Sequence, residues 1–164
     1  MPDLSSAPLP PVRADDHVRG PADRRLAVLY ADFTCPHCAR AWLELRGRPL
    51  RLVVRHLALK ARHPRAVATA CAAEAAGRQG AFWPMADALW SDQGSLEDPH
   101  LWARCEALGL DLERFEADRR SDGVLTRVRR DVHDALRAGA TGTPTLFLDG
   151  ASVPGPPYAG SELG

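Results

Sequence analysis

Four residues, Cys35-Pro36-His37-Cys38, carry the clearest chemistry in this chain. Two thiols at this spacing on one helical turn can close a disulfide, and such a pair exchanges two electrons with other thiols. The surrounding residue types place them on a turn of that kind. The apolar run Leu26–Phe33 predicts a strand, and Ala39, Ala41, Trp42 and Leu45 follow at helical spacing. Where a strand becomes a helix, the first-turn N–H groups lack partners and the peptide dipole presents its positive end. A thiolate at Cys35 is stabilised there. Pro36 suits the first helical position, where its missing N–H costs nothing, and a protonated His37 adds a cation beside the sulfur. Together these predict a Cys35 pKa lowered from about 8.5 into the ~3.5–7.5 range of activated cysteines. Cys38, one turn on, is expected to be less exposed.

Zinc sites also use Cys-x-x-Cys, but a tetrahedral site needs two further ligands, and no second such pair exists. Cys71 shares a helical face with Val67, and Cys105 lies on a stripe with Leu101 and Leu108. Both are expected to be small buried hydrophobes. His56, near a strand end, is expected to be structural or solvent-facing, and His63, His100 and His133 show no ligand spacing. No metal or other cofactor is expected. A distant stretch, Thr141-Gly142-Thr143-Pro144-Thr145, precedes the apolar strand Leu146–Leu148. Besides an ordinary loop proline, this pattern suits a cis bond at Thr143–Pro144, which would leave the Thr143 backbone free to pair with an extended substrate peptide.

Cys-Pro-His-Cys after a strand, Gly-Thr-Pro-Thr more than a hundred residues later and helices between them resemble the DsbA-like branch of the thioredoxin superfamily. The segments Asp16–Asp23, Gly80–Trp83 and Leu108–Asp111 ahead of Phe115 are similar to bacterial members, including domains fused to sodium/proton antiporters. The resemblance covers about residues 16 to 153. It implies an α/β fold: a thioredoxin-like sheet with an all-helical insertion over about residues 64–139. It further implies that Cys35 attacks, Cys38 resolves and Pro144 sits in cis beside them, with Thr143 holding the partner chain. Many members carry a buried acid six residues before the first cysteine, where this chain has Leu29. Proton transfer at Cys38 then falls to water, His37 or Asp32.

The implied function is thiol–disulfide exchange with protein or peptide substrates, with a redox partner protein or glutathione on the other side. Two alternatives stay open. A redox-inert binding module of the same fold fits Leu29 and the short C-terminus. A glutathione-linked isomerase or transferase also shares the fold, although those relatives tend to carry serine in place of the paired thiols.

At 164 residues, 45% hydrophobic and 26% charged, the chain suits one globular domain. Its formal net charge of zero argues against a nucleic-acid surface, and no apolar run is long enough to span a bilayer. Met1–Arg25 lacks a basic start, an apolar core and a small-residue cleavage site, so the expected location is cytoplasmic. Residues 1–15, rich in proline and serine, are expected to be a mobile tail. Leu50–Leu57 predicts a second strand. Helices are expected over Ala66–Ala76 and Trp83–Trp90, from an Asp98 N-cap, after Asp111, and along a stripe of Val124, Val128, Val132, Ala135 and Leu136. Asp149-Gly150 predicts a hairpin turn. The Pro/Gly-rich stretch 154–164 cannot form the helix that usually closes this fold, so the C-terminal helix is expected to be truncated.

Overall fold

In the computed structural model of the protein, which describes residues 7–156 together with Tyr158 and Leu163, the chain begins with β1 (His17–Arg19), β2 (Arg25–Ala31), α1 (Pro36–Leu45) and β3 (Leu50–His56). Five helices follow: α2 (Ala66–Gly77), α3 (Phe82–Ser91), α4 (Asp98–Ala107), α5 (Leu112–Arg119) and α6 (Asp122–Arg137). The hairpin β4 (Thr145–Leu148) and β5 (Ala151–Val153) ends the sequence of elements. The strands form one mixed sheet in the order β1-β3-β2-β4-β5. Here β2 and β3 are parallel, with Leu29 beside Val54, and β4 runs antiparallel to β2, with Leu29 beside Leu146. This is an α/β thioredoxin-like fold, with α2 to α6 inserted between β3 and β4.

Alternation along the central strand explains how one sheet serves two cores. Ala27, Leu29 and Ala31 face a core shared with α1 and the first helices of the insertion, whereas Val28 and Tyr30 face one built with α6. Helix α2 is alanine-rich because it is enclosed by α3, α5 and α6. Its short side chains permit that close approach.

The N-terminal stretch differs from the expected mobile tail. From residue 7 onward it is anchored: Leu9 and Val12 pack on the second core, and the Ala7 N–H donates to the Arg137 carbonyl. The fully buried Arg55 guanidinium donates to the carbonyls of Pro10 and Pro11 and makes a two-pronged pair with Asp16, at 3.0 and 2.7 Å. Residues 1–6 of that expected tail lie outside the described residues, as does most of 157–164. Tyr158 and Leu163 are both buried in the α1-side core.

Two helix details also depart from expectation. The N-cap of α4 is Glu97, which places Asp98 within the first turn, where its carboxylate meets Arg65 and Arg119. On α6 the inward face carries Val124, Val128 and Ala135 with the charged Arg127 and Asp131, while Leu136 is 51% exposed.

Candidate active site

Strand β2 delivers the chain to a tight turn built by Asp32. Its carboxylate accepts the Thr34 N–H and hydroxyl, both at 2.8 Å, and its carbonyl accepts the Cys35 N–H. An aspartate that binds backbone two residues on is a common way to leave a strand. Cys35 is the N-cap of α1, in extended conformation, and its carbonyl accepts the N–H groups of Cys38 and Ala39. Pro36 opens the helix, and both Pro36 and His37 are exposed. Cys35 is half-buried, Cys38 is fully buried, and both are free thiols.

The second stretch meets the first. The Thr143–Pro144 peptide is cis, and the Cys35 sulfur lies 3.6 Å from the Thr143 carbonyl oxygen. A bond from the Thr145 hydroxyl to the Gly142 carbonyl ties the loop down. Thr143, Cys35, His37 and Asp32 line a cavity of about 440 Å3, together with Arg62 and His63. Cys38 lies beneath it, its sulfur facing the Asp32 N–H at 3.4 Å.

The two sulfurs are electrostatically opposite. A hydrogen bond from the Cys38 thiol is the largest influence on Cys35. Burial opposes it, and the Thr143 side chain and the N–H groups of Cys38 and His37 add to it, bringing the Cys35 pKa down to about 5. Burial, the same hydrogen bond and the neighbouring Cys35 charge push Cys38 far up. The contribution of His37 thus comes through its backbone N–H, where a protonated ring was expected. Burial also raises Asp32, against the lowering effect of the Thr34 bonds and of His63 and His56.

Three supports were not anticipated. The Gln93 side chain donates to the carbonyls of Phe33 and Cys35, at 2.8 and 2.9 Å, and the Trp90 indole donates to the Asp32 carbonyl. Trp42 of α1 stacks on Trp83 and meets Trp90 at a tilt, with ring centroids 5.5 and 5.3 Å away. Of these, only the seven-residue spacing of Trp83 and Trp90 leaves a trace in the sequence. His56 is away from the cavity. It is buried against Glu74, whose one carboxylate oxygen it shares with His17. Cys71 and Cys105 are buried in different cores, and burial raises both thiols. Among the described residues no group of three or more His, Cys, Asp or Glu could hold a metal ion, and no helix is long and apolar enough to cross a membrane.

The profile of the DSBA-like thioredoxin domain matches residues 40–157, beginning just past Cys38. The Na(+)/H(+) antiporter NhaA of Herminiimonas arsenicoxydans is 45% identical over 161 residues, which are 93% of this chain and 25% of that protein. NhaA 3 of Salinispora tropica is 44% identical over 156 residues, covering 89% and 24% respectively. The chain thus spans about a quarter of the length of the curated relatives it matches. Among solved structures, a thioredoxin-like oxidoreductase from Silicibacter pomeroyi DSS-3 superposes with a TM-score of 0.79 at 27% identity, covering 87% of this chain and 85% of that one. The thiol-disulfide exchange protein alpha-DsbA2 of Wolbachia pipientis reaches 0.74 at 16% identity, covering 85% and 78%.

Proposed function

This chain belongs to the DSBA-like thioredoxin domain family, and from that premise we propose that it is a thiol–disulfide oxidoreductase acting on protein or peptide substrates. The observation that carries this reading is the inequality of its two thiols: a half-buried Cys35 capping α1, 3.6 Å from the Thr143 carbonyl at the cis Pro144, beside a fully buried Cys38, an arrangement that lowers the Cys35 pKa and raises that of Cys38.

In the reducing direction, the Cys35 thiolate attacks a substrate disulfide. A Cys35–substrate bond forms and the other substrate sulfur leaves as a thiolate. Cys35 then carries no charge, so the two influences that it exerts on Cys38 disappear and Cys38 becomes easier to deprotonate. The Cys38 thiolate attacks the Cys35 sulfur, releasing the second substrate thiol and leaving a Cys35–Cys38 disulfide. Two electrons have passed to the substrate, and the reverse sequence oxidises a dithiol. With leucine at position 29, we assign the Cys38 proton to the Asp32 carboxylate: Asp32 lines the cavity, its backbone N–H lies 3.4 Å from the Cys38 sulfur, and burial raises its affinity for a proton. The Thr143 backbone, next to Pro144, holds the client strand beside Cys35.

The test is a trap. Cys38→Ala should accumulate a mixed disulfide with a client, and Cys35→Ala should form none. Equal exchange activity in the wild type and both variants would refute the proposal. A second reading, a thioredoxin-like module acting on an attached antiporter, is favoured by the antiporter relatives. It gains if the Cys35 thiol titrates like free cysteine.

A further inference from the structure

A second recess, of about 940 Å3, adjoins the active-site cavity at Leu59, which lines both. It lies between α2, α6 and the loop after β3. Ala58, Val67, Cys71, Val128 and Val132 give it an apolar lining, and Leu136 stands half in water at its lip. The exchange steps use none of these groups. Its charged lining is of one sign: Lys60, Arg119, Arg120 and Arg129, with His133 and no carboxylate. Arg119 and Arg120 are occupied by Glu116 and Asp98. Lys60 and Arg129 are exposed and make no ion pair among the described residues. An apolar depression with two cations that are unpaired among the described residues suits an apolar chain that also bears carboxylates.

We propose that this recess docks the client polypeptide itself, through a segment next to its reactive cysteine that combines large apolar side chains with Asp or Glu. The proposal rests on the oxidoreductase reading and names the substrate class of that site. Continuity and charge select the occupant, since Leu59 lines both the recess and the cavity at Cys35 and the recess carries cations without carboxylates. Docking there raises the local concentration of the client disulfide at Cys35 without adding any contact to the reacting sulfurs.

The experiment uses three mixed-disulfide peptides with the same residues around the reactive cysteine. One is unextended, one carries a Leu/Glu tail, and one carries a Leu/Lys tail. The Leu/Glu tail should raise kcat/KM roughly tenfold over the unextended peptide, and the Leu/Lys tail should not. Arg129→Glu and Leu136→Glu, both at exposed positions, should abolish that gain and leave the unextended peptide's rate unchanged. A cysteine-free, dye-labelled Leu/Glu peptide should bind the Cys35→Ser protein and lose affinity about fivefold or more in the same variants. Equal rates for all three peptides, with no binding of the labelled one, would overturn the docking site and leave the oxidoreductase intact. Binding without reaction of any peptide would overturn both, turning the recess into the site of a redox-inert module. Self-association that Leu136→Glu disrupts, with no response to the peptide, would assign the recess to a second copy of the chain.

Discussion

The Cys35 sulfur and the Thr143 carbonyl oxygen, 108 positions apart in the chain, lie 3.6 Å from one another. That contact joins the end of β2 to the start of β4, neighbours in the sheet through pairs such as Tyr30 and Thr145. The sheet register therefore brings the Cys35 thiol and the loop ending at the cis Pro144 to one edge of one cavity.

Asp32 is expected to matter for resolution and not for attack. Asp32→Asn removes the carboxylate assigned the Cys38 proton but keeps its shape, so the mixed disulfide should persist about 10²-fold longer. Alkylation of Cys35 should proceed at close to the wild-type rate. Because burial raises the Asp32 pKa, its ionised form opposes folding at neutral pH, and the same variant should be more stable than the wild type in denaturant at pH 7. Unchanged lifetimes of the mixed disulfide would remove Asp32 from the proton path.

Gln93 holds the active-site turn from outside it. Gln93→Ala leaves the carbonyls of Phe33 and Cys35 without that donor, at an expected cost of about 1–3 kcal/mol. Urea unfolding of the reduced protein should show this as a lower midpoint with an unaltered slope, and exchange should slow as the turn loosens.

The paired thiols, the cis-proline stretch and the thioredoxin-like fold were legible in the sequence because their signals are local: two thiols at a strand-to-helix junction, and a Gly-Thr-Pro-Thr stretch before a strand; the strand order, with β1 at its edge, was not. Gln93, Trp90 and the His17–Glu74–His56 cluster were not legible, because their partners lie on other elements and side-chain type alone names no partner. His56 looked like an isolated strand-end histidine until α2 placed Glu74 against it. Strand β1, only His17-Val18-Arg19, has too few apolar residues to show alternation, and it exists because β3 offers it an edge.

Glu74 should give the fold a marked acid sensitivity. Burial alone would raise its pKa, but the hydrogen bonds and charges of His17 and His56 outweigh that and hold the carboxylate well below its ordinary range. A depressed folded pKa contributes stability that is fully present above the unfolded value of about 4.3 and is lost as pH falls below it. Denaturant midpoints should therefore fall from pH 5 toward pH 3. Glu74→Gln should start lower at pH 7 and show a shallower fall. A slope identical to the wild type would show that this cluster does not govern acid unfolding.

Arg55 is the counterpart for the N-terminal segment. Arg55→Met leaves the buried Asp16 carboxylate with the Arg13 N–H and the Arg127 guanidinium at 3.6 Å but without its two-pronged partner, and frees the carbonyls of Pro10 and Pro11, for an expected loss of about 3 kcal/mol. The double variant Arg55→Met/Asp16→Leu should recover part of it. Protease cleavage between residues 7 and 15 should accelerate in the single variant.

The most direct test is the ionisation of Cys35 in the reduced protein, followed by thiolate absorbance or by the pH dependence of alkylation. A midpoint near pH 5 is predicted, moving upward in Cys38→Ala because that variant removes the largest stabilising hydrogen bond. A midpoint near 8.5, the value of an ordinary thiol, unmoved by Cys38→Ala, would contradict the assignment of this chain as a thiol–disulfide oxidoreductase.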